Sequence, residues 1–360
     1  MPELVIPGTE PVKKVIDRIQ ARKNRRIDSF VNSADELQFQ MRVAGVGYPA
    51  DTLTMTIDGL EMPLTEGAIK TTALLINQSK PSWFQRFSDP QFFPKLFRNY
   101  QHKRGFLVRH DGFQVYAVLP DTYQIADAYE LLEQNFLPSL EEHFGNVRGI
   151  EHIIGGDDDG DLESFRVICG DNLVPVEDKM GQYLMFMLST SDNGLADTRC
   201  WIGLYRPISQ SVAVRKQTSA NWSHRTDSTE FFGKAGDRVR DTGYYKKAFQ
   251  AHFSEMVNEP LQMRDDDSGI LMSCADLVEL LKKMKLIGSG HYKAARLYAN
   301  SLTEDGRPRN TLYDCFNCLA IGAKDLTNLA QRQKAEESTM TLFTSKGGIS
   351  EQIRRAYERF

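Results

Sequence analysis

The stretch GFLVRHDGFQVYAVLPDTYQIADAYELLEQNFLPSLEEHF, residues 105–144, decides the fold. Its two apolar runs, GFLVRH and FQVYAVL, flank Asp111-Gly112, a pair that accepts the backbone angles of a tight hairpin turn. The period then changes. Ile125, Tyr129, Leu132, Phe136 and Leu140 recur every three or four residues, which places them on one face of a helix. This order predicts antiparallel pairing of 105–110 with 113–119 and a helix over most of 125–142. It is not the alternating strand and helix pattern of a doubly wound sheet.

The same chemistry extends on both sides. Upstream, Leu37, Phe39, Met41 and Val43 alternate, and TLTMTIDGLEMPL (52–64) places two short β-like runs around Asp58-Gly59. Thr65 is suited to cap a helix in EGAIKTTALLINQ, and Asp89-Pro90 opens a second predicted helix that runs to about Gln101. Downstream, RGIEHII and SFRVIC flank an acidic loop, and QYLMFMLS and TRCWIGLYRPI flank TSDNGLAD, which adds four strands. After Ala213 the chain turns polar and loop-like, and helical patterns follow in GYYKKAFQAHFSEMV, SCADLVELLKKMKL, GHYKAARLYANSL and NTLYDCFNCLAIGAKDL. The expected class is α+β: an antiparallel sheet built from hairpins with packed helices, followed by a mostly helical C-terminal third. The expected parts are a basic N-terminal helix (1–30), an antiparallel core (31–212), and a loop-rich basic segment with a helical C-terminal region (213–360).

With 360 residues, 41% of them apolar and 26% charged, the chain can bury a sizeable core and lacks the composition of a disordered protein. Five cysteines at irregular spacing read as reduced thiols, and no disulfide framework is implied. The opening MPELVIPGTEPVKK has no signal-peptide pattern and no run approaches the length of a membrane span, so a cytoplasmic protein of the host cell is expected, with no membrane partner. Because the net charge is only −4, affinity for a polyanion has to come from the distribution of charge.

That distribution is uneven. Residues 11–26 form an amphipathic pattern in which Val12, Val15, Ile16 and Ile19 share a stripe and seven cations oppose Asp17 alone; it reads as a docked, solvated helix or as an arm that contacts nucleic acid or a partner. Residues 90–110 carry Lys95, Arg98, Lys103 and Arg104 beside Tyr100, with no acid after Asp89. Residues 206–247 carry Arg215, Lys216 and Arg225 beside Trp222. Cations neutralise phosphates while aromatic faces stack on bases, so these nine residues are the candidate nucleic-acid contacts.

Other motifs point away from catalysis. The run Asp157, Asp158, Asp159, Asp161 and Glu163 lacks the register of a calcium loop and reads as a solvated turn. Cys315-x-x-Cys318 lies in an apolar helical stretch without the two further ligands of a zinc site, which predicts buried, unbridged, metal-free thiols. No catalytic residue, metal or cofactor is assigned.

The stretch LVRHDGFQVYAVLPDTYQIADAYELL resembles a hallmark of a family carried by phages and plasmids, known as phage/plasmid-like proteins of unknown function. MPLTEGAIKTTALLINQ, LSTSDNGLADTRCWIGLYRPI and TLYDCFNCLAIGA are similar to further parts of it, although Pro120-Asp121-Thr122-Tyr123 stands where a Ser-Asp-Arg-Tyr-like turn is expected. The resemblance implies residence on mobile elements, among replication and recombination functions. Together these readings give an expected single-stranded DNA-binding protein, oligomeric and acting in recombination or annealing. The alternatives are an interaction protein that binds or inhibits a host factor and, third, a metal-dependent nuclease.

Overall fold

The computed structural model describes residues 6–42, 45, 52–75, 105–145, 147–155, 161–174, 182–207, 209–222, 273–304, 311–344 and 348–349. The helix predicted from Pro90 and the one predicted in 243–257 lie outside these residues. Within them the chain is α+β, built from antiparallel sheets with its helices concentrated in the C-terminal part.

The deciding hairpin forms as expected. β5 (Phe106–His110) pairs antiparallel with β6 (Val115–Pro120), from Phe106 opposite Pro120 to Arg109 opposite Ala117. The turn lies one residue later than Asp111-Gly112: Asp111 N–H donates to Gln114 O at 3.3 Å across Gly112-Phe113, and Asp111 Oδ1 accepts the backbone N–H groups of both Phe113 and Gln114 at 2.9 Å. These bonds close the turn and leave Phe113 at its tip, 82% exposed. Before β6 closes the sheet, β1 (Ile27–Val31) pairs with the other side of β5, a strand that the weak alternation of IDSFV does not announce.

The helix after the hairpin starts later than predicted, and Ile125, expected on its buried face, is 40% exposed. A π-helical stretch, Glu130–Phe136, leads directly into α3 (Leu137–Phe144). Pro138, which has no N–H to donate, stands where the wide turns return to α geometry. Leu132, Phe136 and Leu140 are buried as the periodicity requires.

A second three-stranded sheet, β2 (Gln38–Arg42), β3 (Thr52–Ile57) and β4 (Leu60–Pro63), contains the Asp58-Gly59 turn, with φ of 52° and 81°. Its residues Phe39, Leu53, Met55 and Met62 pack with Val31, Phe106, Val108 and Val118 of the first sheet. Against β6 packs α2 (Glu66–Leu75), whose first turn is capped by Thr65 accepting from Ala68 N at 3.2 Å.

The largest sheet has the order β11-β10-β9-β8-β7. It comprises β7 (Val147–Ile154), β8 (Glu163–Val174), β9 (Gln182–Thr190), β10 (Thr198–Arg206) and β11 (Ser211–Trp222). Alternate residues feed two cores: Leu184, Phe186 and Leu188 face α1 (Val12–Arg25) and the C-terminal helices, while Met185 and Met187 join Trp201 and Tyr205 on the other side. Burial on both faces explains why β9 reads as a continuous apolar run.

The C-terminal helices are α4 (Cys274–Lys283), α5 (Ser289–Glu304), α6 (Leu312–Lys324) and α7 (Leu329–Thr344). Capping boxes, Ser273 with Asp276 and Thr311 with Asp314, set the starts of α4 and α6. The helices α5 and α6 approach closely at Gly322, where a Cβ would lie 2.6 Å from the backbone nitrogen of Ala295. Among the described residues no helix is long and apolar enough to cross a membrane.

Candidate nucleic-acid interface

The cations of α1 divide sharply. Val15, Ile16 and Ile19 are buried in the core shared with the large sheet; Arg22 continues their stripe three residues after Ile19, and Arg26 follows the helix as its C-cap in extended backbone, φ −77° and ψ 140°. Arg22 donates to Asp192 Oδ2 at 2.9 Å and pairs with Glu163 Oε1 at 2.5 Å. Arg26 lies 3.1 Å from the same Asp192 oxygen and over the Tyr116 ring. From β5, the fully buried Arg109 pairs with Asp28 at 2.8 Å and Asp127 at 2.7 Å, and donates to the backbone carbonyl of Asp192.

The cluster extends along the sheet. Arg18 donates to His152 Nδ1 at 2.7 Å; since a guanidinium can only donate, the imidazole proton belongs on Nε2, which donates to Glu163 at 2.8 Å. Arg18 also holds Glu10, and Lys23 pairs with Glu130. α1 is thus docked by its apolar stripe with Lys13, Lys14, Arg18 and Arg25 exposed, as one expectation has it, but Arg22 and Arg26 are turned onto acids of the interior, and Lys14, Arg18 and Lys23 pair with acids of their own chain at its margin.

The partner of these arginines is the β9–β10 turn, which the sequence reading treats only as a connection. Ser191, Asp192 and Asn193 are buried. Asp192 Oδ1 accepts Ala128 N at 2.6 Å, and Asn193 donates to Asp161 at 2.8 Å. Asp161 is consequently inside the protein, which corrects the reading of the whole acidic run as a solvated turn; Asp157, Asp158 and Asp159 lie outside the described residues. Glu163 is likewise buried.

The electrostatics fit a closed cluster. Burial alone would raise the Asp192 carboxyl, but Arg26, Arg22 and Arg109 outweigh it and hold the group below the usual carboxylate range. Asp127 is pushed up, first by burial and then by the negative charge of Asp192. Guanidinium groups occupy these carboxylates, and among the described residues no group of three or more His, Cys, Asp or Glu is arranged to hold a metal ion. The cluster fastens α1, β1, β5, β8 and the 190–197 turn together.

These charges set the response to acid. Asp192 is depressed, as are Glu10 and Glu61, each held down to about 2 by Arg18 and Arg42 respectively. Depressed carboxylates stabilise the fold above their unfolded values of about 4 and lose that contribution as pH falls through their folded values. Asp127 has the opposite sign and offsets part of the loss as it takes up its proton. The urea midpoint is expected to fall below about pH 4.5, and less steeply in Asp192→Asn than in wild type. Equal acid slopes in the two proteins would contradict the assignment.

Of the nine candidate contacts, Lys95, Arg98, Tyr100, Lys103, Arg104 and Arg225 lie outside the described residues. Arg215, Lys216 and Trp222 fall on β11, which continues as a strand to Trp222 where the polar sequence suggests a loop. β11 is the edge of the large sheet, and its ladder with β10 is interrupted: Arg215 stands opposite Ile202 and Ala220 opposite Cys200, so residues 216–219 face a single residue, Trp201. Bulges of this kind re-aim an edge strand and end regular pairing. None of the twelve residues of β11 is acidic. Arg199 on β10, opposite Asn221, is exposed and adds a cation that composition alone did not single out.

No protein-family model, curated protein or solved structure matches the chain. A cleft of about 170 Å³ is bordered by Thr71, Leu75, Leu119, Tyr123 and Gly194. Its hydroxyl from Thr71 is engaged, donating to Ala68 O and accepting from Val118 N, and burial pushes the Tyr123 phenol up.

Proposed function

We propose that the protein binds single-stranded DNA, with β11 as part of the contact surface. The observation that carries this reading is the bulged, acid-free edge strand, which brings Arg215, Lys216 and Trp222 to one border of the sheet beside the exposed Arg199. A cationic edge next to an aromatic residue supplies the phosphate contacts and the stacking surface that single-strand binding requires. Lys95, Arg98, Tyr100, Lys103, Arg104 and Arg225 complete the proposed surface. Homo-oligomerisation, a role in phage or plasmid recombination or annealing, and residence in the host cytoplasm belong to the same proposal.

The alternative reading, an interaction protein that binds or inhibits a host factor through α1 and the acidic loop, has the exposed Lys13, Lys14, Arg18 and Arg25 to draw on, whereas Arg22 is engaged inside the protein. The deciding measurement is an electrophoretic shift of a labelled single strand of about thirty nucleotides, long enough for at least one site, across a salt series with and without Mg²⁺. A saturable shift that weakens with salt and needs no Mg²⁺ is expected. No saturable shift at low salt removes the nucleic-acid reading in favour of the protein-partner one, and Mg²⁺-dependent cleavage replaces it with a nuclease.

A further inference from the structure

The cleft of about 170 Å³ between α2, β6 and the β9–β10 turn has a size that selects its occupant. A cavity of about 150 Å³ admits a single benzene ring, whereas sites for drug-sized ligands run from roughly 300 Å³ upward. Leu74 and Leu75 of α2, Leu119 of β6 and the side chain of Tyr123 are among its walls, so a flat ring sheds water on entering. Gly194 brings the turn backbone against two of these walls: a Cβ there would lie 2.6 Å from Leu119 Cδ2 and 3.2 Å from Tyr123 Cε2, and its φ of +71° favours glycine.

Polar groups at the cleft narrow the class further. The one proton of the Thr71 hydroxyl is committed to Ala68 O, so this group offers a ligand no donor. Asp197, also on the border, is exposed and has no ion-pair or hydrogen-bond partner among the described residues. An ionised carboxylate only accepts hydrogen bonds and repels phosphate, so it meets the donor edge of a base and not the backbone of a strand. We propose that the cleft holds one unstacked pyrimidine base, with Asp197 accepting from the 4-amino group of cytosine, an inference that rests on the single-strand reading above. Thymine carries an acceptor oxygen at that position, which the carboxylate disfavours.

The place of the cleft fits this occupant. Asp197 runs directly into Thr198 and Arg199, which stand opposite Trp222 and Asn221 where β11 ends. A strand held along that edge by its phosphates passes the rim of the cleft. A base turned out of the stack there enters it while the sugar and phosphate stay outside, and in a single strand no base pair has to be broken first.

Two measurements on the full-length protein test the assignment. Saturation-transfer NMR with deoxycytidine and thymidine as probes reads the cleft without any strand. Transfer to deoxycytidine is expected, weaker transfer to thymidine, and neither in Ala196→Phe, where a phenyl ring is added at a half-buried position on the cleft wall. Fluorescence anisotropy with oligo-dC and oligo-dT of about thirty nucleotides then compares the two strands. In Asp197→Asn the ratio of their affinities is expected to move about fivefold toward oligo-dT, the scale of one hydrogen bond, because an amide can donate to the thymine oxygen. The ratio cancels the general gain from removing a negative charge, and a misfolded variant loses both strands alike. No transfer to deoxycytidine in the wild type, transfer that survives Ala196→Phe, or an unchanged ratio in Asp197→Asn would each overturn the base site. Transfer to deoxycytidine without binding of either oligonucleotide supports the base site and removes the single-strand reading, whereas strand binding without transfer does the reverse.

Discussion

Replacing Arg109 with alanine is expected to lower folding stability by about 3–5 kcal/mol, the range for removing one partner of a buried ion pair. The reason is the state of what remains. Arg109 is fully buried and is shared by the Asp28 carboxylate, the Asp127 carboxylate and the Asp192 carbonyl. Without it, Asp127 loses its closest cation in a place where burial and Asp192 already oppose its charge. Arg42→Ala, which breaks an exposed pair with Glu61, is the control and is expected to cost far less. Urea unfolding followed by circular dichroism measures both, and a loss below about 1 kcal/mol for Arg109→Ala would show that water, not the guanidinium, satisfies these carboxylates.

The second large effect concerns DNA and separates charge from stacking. Removing one cation that neutralises a phosphate is expected to reduce the slope of log K against log salt by roughly 0.7 for a single strand. Lys103→Ala with Arg104→Ala, or Arg215→Ala with Lys216→Ala, should therefore weaken binding and flatten the salt dependence by roughly 1.4 if both residues of a pair touch phosphate. Trp222→Ala should cost about 1–3 kcal/mol of affinity with little change in slope if the indole stacks on a base. Unchanged slopes in both double variants would remove these segments from the interface even if the wild-type protein binds.

The local structure was legible where neighbours in sequence determine it. Asp58-Gly59 and Asp111-Gly112 mark hairpins, Thr65 caps α2, and the apolar spacing of 132, 136 and 140 marks a buried helix face. The same logic failed at Ile125, which has the right spacing but precedes the first helical turn. It also failed at 214–222, where polar residues form an edge strand because pairing with β10 supplies what their composition does not. The signal for Arg22 was present and misread: it falls on the apolar stripe of α1, and a charge at such a position needs a buried partner.

Sequence by itself determined the class of the fold, the positions of its hairpins, most of its helix boundaries and the burial of Cys315 and Cys318, because periodicity, turn residues and caps act over a few residues. The tertiary structure alone decided which charges are paired inside. Asp28, Arg109, Asp127, Glu163 and Asp192 come from elements spread over 165 positions, separations at which nothing in the spacing of residues encodes contact. A buried charge is defined by the groups that replace water around it, and those groups are assembled only when the sheets and helices pack.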